Sequence, residues 1–376
     1  MVPADSSFHY RIPLSRPRIT DADRQAVLSV LESDRLSGGP WTQKLESMAQ
    51  QTLGLPAVSC SSGTAGLILA LKALGISGGE VLTPALGFIA SAHAIRAVGA
   101  TPRFCDVSPE TLCCGPEEVL ESWSDDVQAL LPVDLLGVPA PINALMELAR
   151  EKGVPVIEDA CEALGTVVAG QPCGSRADAA SFGFYPNKIL TMGEGGLVTC
   201  RDEELADRIR QFANQGRTGP GFSFSGEGYN FRLTELQSAL GASQWEGLES
   251  RISDREKIAS QYGDLLSQIA GVVPAPAPAL DQPGDRRSWF TYVVILEKSE
   301  WRSRIRRSLA DRRIETGLYF PSLTEFKPYD QAPRGQLSVT ESISPKMLAL
   351  PFFPDLSSAE VEEVVSSLEE AISLLE

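Results

Sequence analysis

Two rhythms of apolar and polar positions alternate along the first two hundred residues. Short, nearly continuous apolar runs, among them EVLTP at 80–84, TPRFCDV at 101–107 and VPVIED at 154–159, have the length and content of buried strands. Between them, TDADRQAVLSVLESD, WTQKLESMAQQTLG, FIASAHAIRAVG, PEEVLESW and INALMELAREKG carry apolar residues at helical spacing. Strand and helix in turn predict a parallel sheet with crossover helices. ALLPVDLLG at 129–137 is expected to be one more strand. AVSCSSGTAGLILALKALG starts as a strand, turns at Ser62 and Gly63, and continues as a helix with apolar residues at 67, 68, 71 and 74. Gly75 stops that helix.

The second half changes character. DEELADRIRQFAN predicts a helix, and QGRTGPGFSFSGEGYNFRL a long glycine-rich loop of the kind that carries function. The passage from Thr234 to Ile269 is helical and long enough to connect two domains, and VVPAPAPALDQPGD marks an irregular, exposed stretch. The strand WFTYVVILE, the helix SEWRSRIRRSLADR and a closing helix capped by Ser357 and Glu360 form a smaller α+β unit. The expected division is a large domain over 1–245 and a small one over 246–376.

Composition narrows the chemistry. With 376 residues, 43% of them hydrophobic, the chain can bury a sizeable core. A net charge of −16 argues against binding to a nucleic-acid backbone. No leader-like or membrane-spanning run is present, so a cytoplasmic location is expected. Seven cysteines without a CxxC pair indicate neither a zinc motif nor a disulfide framework. Only His9 and His93 could serve a histidine metal site or a Ser-His-Asp triad, and no metal is expected.

Three features remain as candidate chemistry. Asp159 ends a buried strand, where open α/β sheets place ligands. Lys188 follows a Pro-Asn turn and precedes Gly193, Glu194, Gly195 and Gly196, a position suited to covalent catalysis. Gly63 and Thr64 open a helix, where main-chain amides and the dipole favour an anion. Each has a plain structural alternative: a turn residue, a surface lysine, an ordinary helix cap. Phe88, just past a strand end, could cover a flat ring, although a lone aromatic is more often core.

These segments together resemble the DegT/DnrJ/StrS family of pyridoxal-phosphate-dependent aminotransferases. The resemblance rests on IPLSRP near the start, SSGTAGL, TPALGFIAS, VIEDACEALG, FYPNKILTMGEGG and YNFRLTELQSALGASQ, in that order over nearly the whole chain. It implies a type I aminotransferase fold, with a mostly parallel central sheet in the large domain, a small C-terminal domain, and a homodimer that shares its active sites. It further implies that Lys188 forms the internal aldimine with pyridoxal 5'-phosphate and shuttles a proton, and that Asp159 pairs with the pyridine nitrogen. Phe88 would stack on the ring, Gly63 and Thr64 would hold the phosphate, and Asn230 would reach the phosphate of the neighbouring subunit. The implied reaction takes an amino group, from L-glutamate, through a pyridoxamine phosphate form to a keto-sugar, typically nucleotide-linked. Arg217, Arg232 and Lys327 are candidate contacts for an anionic substrate group.

Several positions depart from the family pattern. Glu162 stands where a glutamine commonly faces the cofactor's phenolic oxygen, and a raised pKa is expected there. Gly183 replaces a phosphate-contacting serine, leaving Tyr185, Ser181 or Asn187 to compensate. Asp134 and Thr324 replace frequent histidines, and Thr191-Met192 a common Thr-Thr. These departures leave a cyclitol or other non-nucleotide ketone open as the acceptor. A non-catalytic binding protein on the same fold would be expected to lose Lys188 or Asp159, and the family's dehydratase branch has histidine in place of the lysine; the sequence keeps both Lys188 and Asp159.

Overall fold

The structure is a computed structural model that describes residues 10–219, 221–278, 280 and 282–375; His9 lies outside them. In chain order the elements are α1 (Asp21–Leu31), α2 (Pro40–Leu53), β1 (Ala57–Cys60), α3 (Gly63–Ala73), β2 (Glu80–Pro84), α4 (Ala90–Ala97), β3 (Thr101–Cys105), α5 (Pro116–Glu121), β4 (Val127–Leu130) and α6 (Ile142–Lys152). Then follow β5 (Ile157–Asp159), β6 (Val167–Val168), β7 (Gln171–Pro172), β8 (Ala179–Gly183), β9 (Gly196–Cys200), α7 (Glu203–Ala213), α8 (Glu235–Glu246) and α9 (Leu248–Leu266). The last elements are β10 (Val272–Pro274), β11 (Tyr292–Leu296), α10 (Trp301–Asp311), α11 (Ser338–Ile343), β12 (Met347–Leu350) and α12 (Ser358–Ser373).

The central sheet has two parts, ordered β1-β9-β8-β5 and β4-β2-β3. Parallel bridges from Leu130 to Val156 and from Val133 to Asp159 join them edge to edge. Neighbours within the sheet are parallel, except that β9 runs against both β1 and β8. The expected mostly parallel sheet is therefore present. Its strands β1, β8 and β9 are almost entirely buried, which is why they read as apolar runs rather than alternating ones.

A second core forms where α9, α10 and α12 cover the antiparallel sheet β10-β11-β12. Tyr262 is fully buried there and donates to the Pro351 carbonyl at 2.8 Å. Ile12 joins this cluster, because the N-terminal segment bridges to Ile314.

One local expectation is corrected. The run 129–137 is a strand only to Leu130 and then turns through a 3-10 segment at Leu135–Gly137. Pro132 has no amide to donate to a ladder, and Leu136 adopts a φ of 59°. The glycine-rich stretch is the expected loop, with an antiparallel bridge from Arg217 to Phe224 and another from Asn214 to Asn230. The loop at 35–40 is held by Glu235, whose carboxylate accepts the amides of Gly39, Trp41 and Thr42 at 2.9, 2.9 and 3.0 Å. No helix among the described residues is long and apolar enough to cross a membrane.

Candidate active site

The site lies at the carboxyl ends of β5 and β8, where the chain leaves the sheet on short turns. β1 ends in Ser61-Ser62, and the Ser62 side chain caps α3 by accepting the Ala65 amide at 3.1 Å. The amides of Gly63 and Thr64 have no partner inside the helix, as first-turn groups never do. Glycine at 63 is required by close approach, since a Cβ there would sit 2.6 Å from Cys161 Sγ and 3.1 Å from Gly183 Cα. The helix start is thus pressed against the ends of the two central strands.

Asp159 ends β5 with its side chain on the cavity side and is only 6% exposed. Its Oδ2 accepts the Ser91 hydroxyl at 2.6 Å, and its Oδ1 accepts the Cys161 amide at 3.3 Å. These contacts fix the carboxylate, and among the described residues none forms an ion pair with it.

Lys188 is reached by a turn in which its amide donates to the Tyr185 carbonyl at 2.9 Å. Its Nζ lies 4.0 Å from the centroid of the Phe290 ring and 3.5 Å from Glu162 Oε1. The other Glu162 oxygen accepts the Leu136 amide at 2.8 Å, a donor aimed by the turn that interrupts the expected strand. Burial raises the Glu162 carboxyl above its ordinary value; the Lys188 charge and the Leu136 amide only partly oppose this. The direction is the one expected from sequence.

These groups line one cavity of about 520 Å³. Gly63, Thr64, Phe88, Asp159, Glu162 and Lys188 all contribute to its wall. Phe88 is 58% exposed rather than core, with its ring 6.1 Å from that of Phe320. Four other candidates do not reach the cavity within this chain. Asn230 is exposed and bridged to Asn214, Arg232 donates to Asn214 Oδ1 at 3.0 Å, Arg217 lies 5.5 Å over Phe224, and Lys327 is exposed. Ser181 cannot replace a serine at 183, because its hydroxyl is buried and donates to the Gly63 carbonyl at 2.9 Å. Tyr185 and Asn187 do line the cavity.

Sequence reasoning missed Ser91, Phe290, Tyr319 and Phe320. Ser91 had a usable signal, since it stands three residues after Phe88 at the start of a helix that begins beside the strand ends. The aromatic residues arrive from more than a hundred positions downstream of Lys188, and no local pattern marks them. The Tyr319 phenol oxygen accepts Asn187 Nδ2 at 3.4 Å, and burial raises the phenol above its ordinary value.

A lysine amine, a fixed carboxylate and a helix N-terminus around one cavity define a site for a flat, phosphorylated carbonyl compound. The sequence matches the DegT/DnrJ/EryC1/StrS aminotransferase family over residues 17–369, and the chain belongs to that family. It is 31% identical over 368 residues to the GDP-perosamine synthase of Caulobacter vibrioides, covering 96% of this chain and 98% of that protein. DesI, solved in the presence of its TDP-sugar product, superposes with a TM-score of 0.89 at 29% identity, covering 96% of this chain and 94% of DesI. The sugar aminotransferase Spr1654 of Streptococcus pneumoniae, solved in a PLP form and described as putative, gives a TM-score of 0.91 at 25% identity, covering 98% and 100% of the two chains. The protein is an aminotransferase with the fold of the sugar aminotransferases.

Proposed function

We propose that this chain uses pyridoxal 5'-phosphate to transfer an amino group from L-glutamate to the ketone of a nucleotide-linked sugar. The observation that carries the reading is the meeting of Lys188, Asp159 and the start of α3 around one cavity. The donor set fits the group: an amine for the aldehyde, a carboxylate for the ring nitrogen, and unshared amides at a helix N-terminus for the phosphate. Bound there, pyridoxal phosphate supplies an aldehyde that can exchange amino groups and a ring that withdraws electrons from the carbon losing its proton.

The residues divide the remaining work. Lys188 would anchor the cofactor through its amine and would hold and return the proton at the substrate carbon. Asp159, oriented by Ser91, keeps the ring nitrogen protonated. Phe88 would cover the cofactor ring, and Glu162 would offer it a carboxyl that burial makes reluctant to give up its proton. Asn230 serves the phosphate of a neighbouring subunit in a homodimer, consistent with its exposure and its distance from the cavity of its own chain. In the same assembly Arg217, Arg232 and Lys327 are available to an anionic substrate group. The nucleotide-linked acceptor is supported by the GDP-perosamine synthase and DesI relationships.

The test is a product assay. Purified protein with pyridoxal phosphate and L-glutamate is offered GDP- and TDP-linked keto-sugars, and the mixture is analysed by mass spectrometry. The reading requires an amino-sugar nucleotide together with 2-oxoglutarate. Amination of free cyclitol ketones but of no nucleotide sugar would overturn the acceptor class while leaving the transamination intact.

A further inference from the structure

Strand β5 presents Asp159 to the active-site cavity, and its neighbour Glu158 points to the opposite face of the sheet, as alternate strand residues do. There Glu158 meets Asp134 and Cys173. One donor atom from each lies within 4.8 Å of the others, and all three residues are buried.

The two carboxyl groups are held but incomplete. Asp134 Oδ1 accepts the Ala140 amide at 2.9 Å, and Glu158 Oε1 accepts the Gly174 amide at 2.8 Å. The second oxygen of each, Asp134 Oδ2 and Glu158 Oε2, is buried with no donor from outside the cluster. Asp134 and Glu158 face each other through a shared hydrogen bond that raises the Asp134 carboxyl and lowers that of Glu158, and the charge of Asp159 raises both. Bare anions in such a place are costly unless a cation or protons compensate.

A second cavity, of about 450 Å³, opens onto this cluster, with Glu158 and Cys173 in its wall. It gives an entry path and room for a water ligand. The donors are two carboxylates and one thiolate, each carboxylate oriented by a main-chain amide. Such a set suits a borderline-soft ion and is poor for magnesium or calcium, which take oxygen ligands. In a tetrahedral zinc site the donor atoms stand about 3.3–3.7 Å apart, so small side-chain rotations close the present separations.

We propose that Asp134, Glu158 and Cys173 form a binding site for a thiophilic divalent cation of the zinc class, its fourth position open to the second cavity. The site is reached from residues that no CxxC motif announces, and it depends on the carboxylate at 134. A cation takes these groups as carboxylates and thiolate, so affinity rises with pH. The proposal does not rest on the amino-transfer reading.

The test uses the purified holoenzyme. The protein is stripped with a chelator, equilibrated with zinc, passed into metal-free buffer, and its metal content measured by mass spectrometry. In parallel, cobalt(II) is titrated and its ligand-field bands are followed at wavelengths beyond the cofactor's absorption. Expected are about one equivalent of zinc per chain and intense tetrahedral cobalt bands with thiolate character. Cys173→Ser removes the thiolate bands and weakens retention at least about tenfold, and Glu158→Gln weakens it similarly. Cys113→Ser, which changes a thiol on the same cavity that is engaged with the Val138 carbonyl at 3.4 Å, leaves binding unchanged. Wild-type protein that retains only traces of zinc and shows no cobalt bands overturns the proposal, as does a Cys173→Ser variant that binds like wild type.

Discussion

Lys188 Nζ lies 3.5 Å from Glu162 Oε1, with the two side chains only 15% and 6% exposed. Burial raises the carboxyl, and the facing ammonium does not fully offset it. The folded protein therefore holds the Glu162 proton to a higher pH than an unfolded chain, whose value is the ordinary 4.5. Folding stability from this group is complete below that value and falls as pH climbs through the folded one. In Glu162→Gln this loss is absent. Melting temperatures of cofactor-free wild type and variant, compared from pH 4.5 upward, should diverge with the wild type declining more steeply. Parallel profiles would contradict the assignment.

Ser91 donates to Asp159 Oδ2 at 2.6 Å, the shortest contact that orients this carboxylate. A hydrogen bond to a charged acceptor contributes about 1.5–3 kcal/mol. Ser91→Ala is expected to lower kcat by about ten- to a hundredfold while KM for the amino donor changes little, because Ser91 acts through Asp159 rather than on substrate. Steady-state kinetics checks the split; a change confined to KM would argue for direct substrate contact.

At Gly63 the constraint is steric. A methyl group there meets Cys161 Sγ at 2.6 Å and Gly183 Cα at 3.1 Å, so the start of α3 must move away from the strand ends. Gly63→Ala is expected to weaken cofactor retention at least about tenfold, because a shift of the helix start displaces the amides proposed to hold the phosphate. Equilibrium dialysis against pyridoxal phosphate measures this directly, and an unchanged affinity would remove α3 from the site.

Glu235 ties the first turn of α2 to the first turn of α8. It accepts three amides and, at 2.6 Å, the Thr42 hydroxyl. Burial alone would raise its carboxyl, but the Thr42 hydroxyl and the amides outweigh burial and lower it. Its contribution to stability is present above the ordinary value of 4.5 and is lost as pH falls through the lower folded value. Glu235→Ala is expected to cost about 2–4 kcal/mol near neutral pH, since several buried donors lose their acceptor. Urea unfolding at neutral and acidic pH should show the difference from wild type shrinking in acid.

How much of this was legible in the sequence follows from the range of each interaction. Asp159, Gly63 and Lys188 stand at transitions written locally: an apolar run ending in a carboxylate, a strand turning into a helix at glycine, a lysine beside a glycine turn. The alternation of strands and helices likewise follows from periodicity within each segment. The run at 129–137 misled because its apolar content resembles a strand, while Pro132 and the turn at Leu136 decide its backbone. Glu235 and the loop at Gly39 are 196 positions apart, so nothing near either residue shows their contact. Phe290, Tyr319 and Phe320 line the cavity from the far end of the chain, and Phe88 is exposed because the cavity opens beside it.

The central claim is that Lys188 anchors the cofactor through which the amino group passes. The most direct measurement is the absorbance spectrum of purified protein reconstituted with pyridoxal phosphate, before and after L-glutamate, with Lys188→Ala alongside. The account predicts a long-wavelength band of the lysine-bound cofactor that disappears with glutamate as the pyridoxamine form absorbs at shorter wavelength, and that is missing from the variant. A wild-type protein without that band, or a variant that keeps both the band and its response to glutamate, would contradict it.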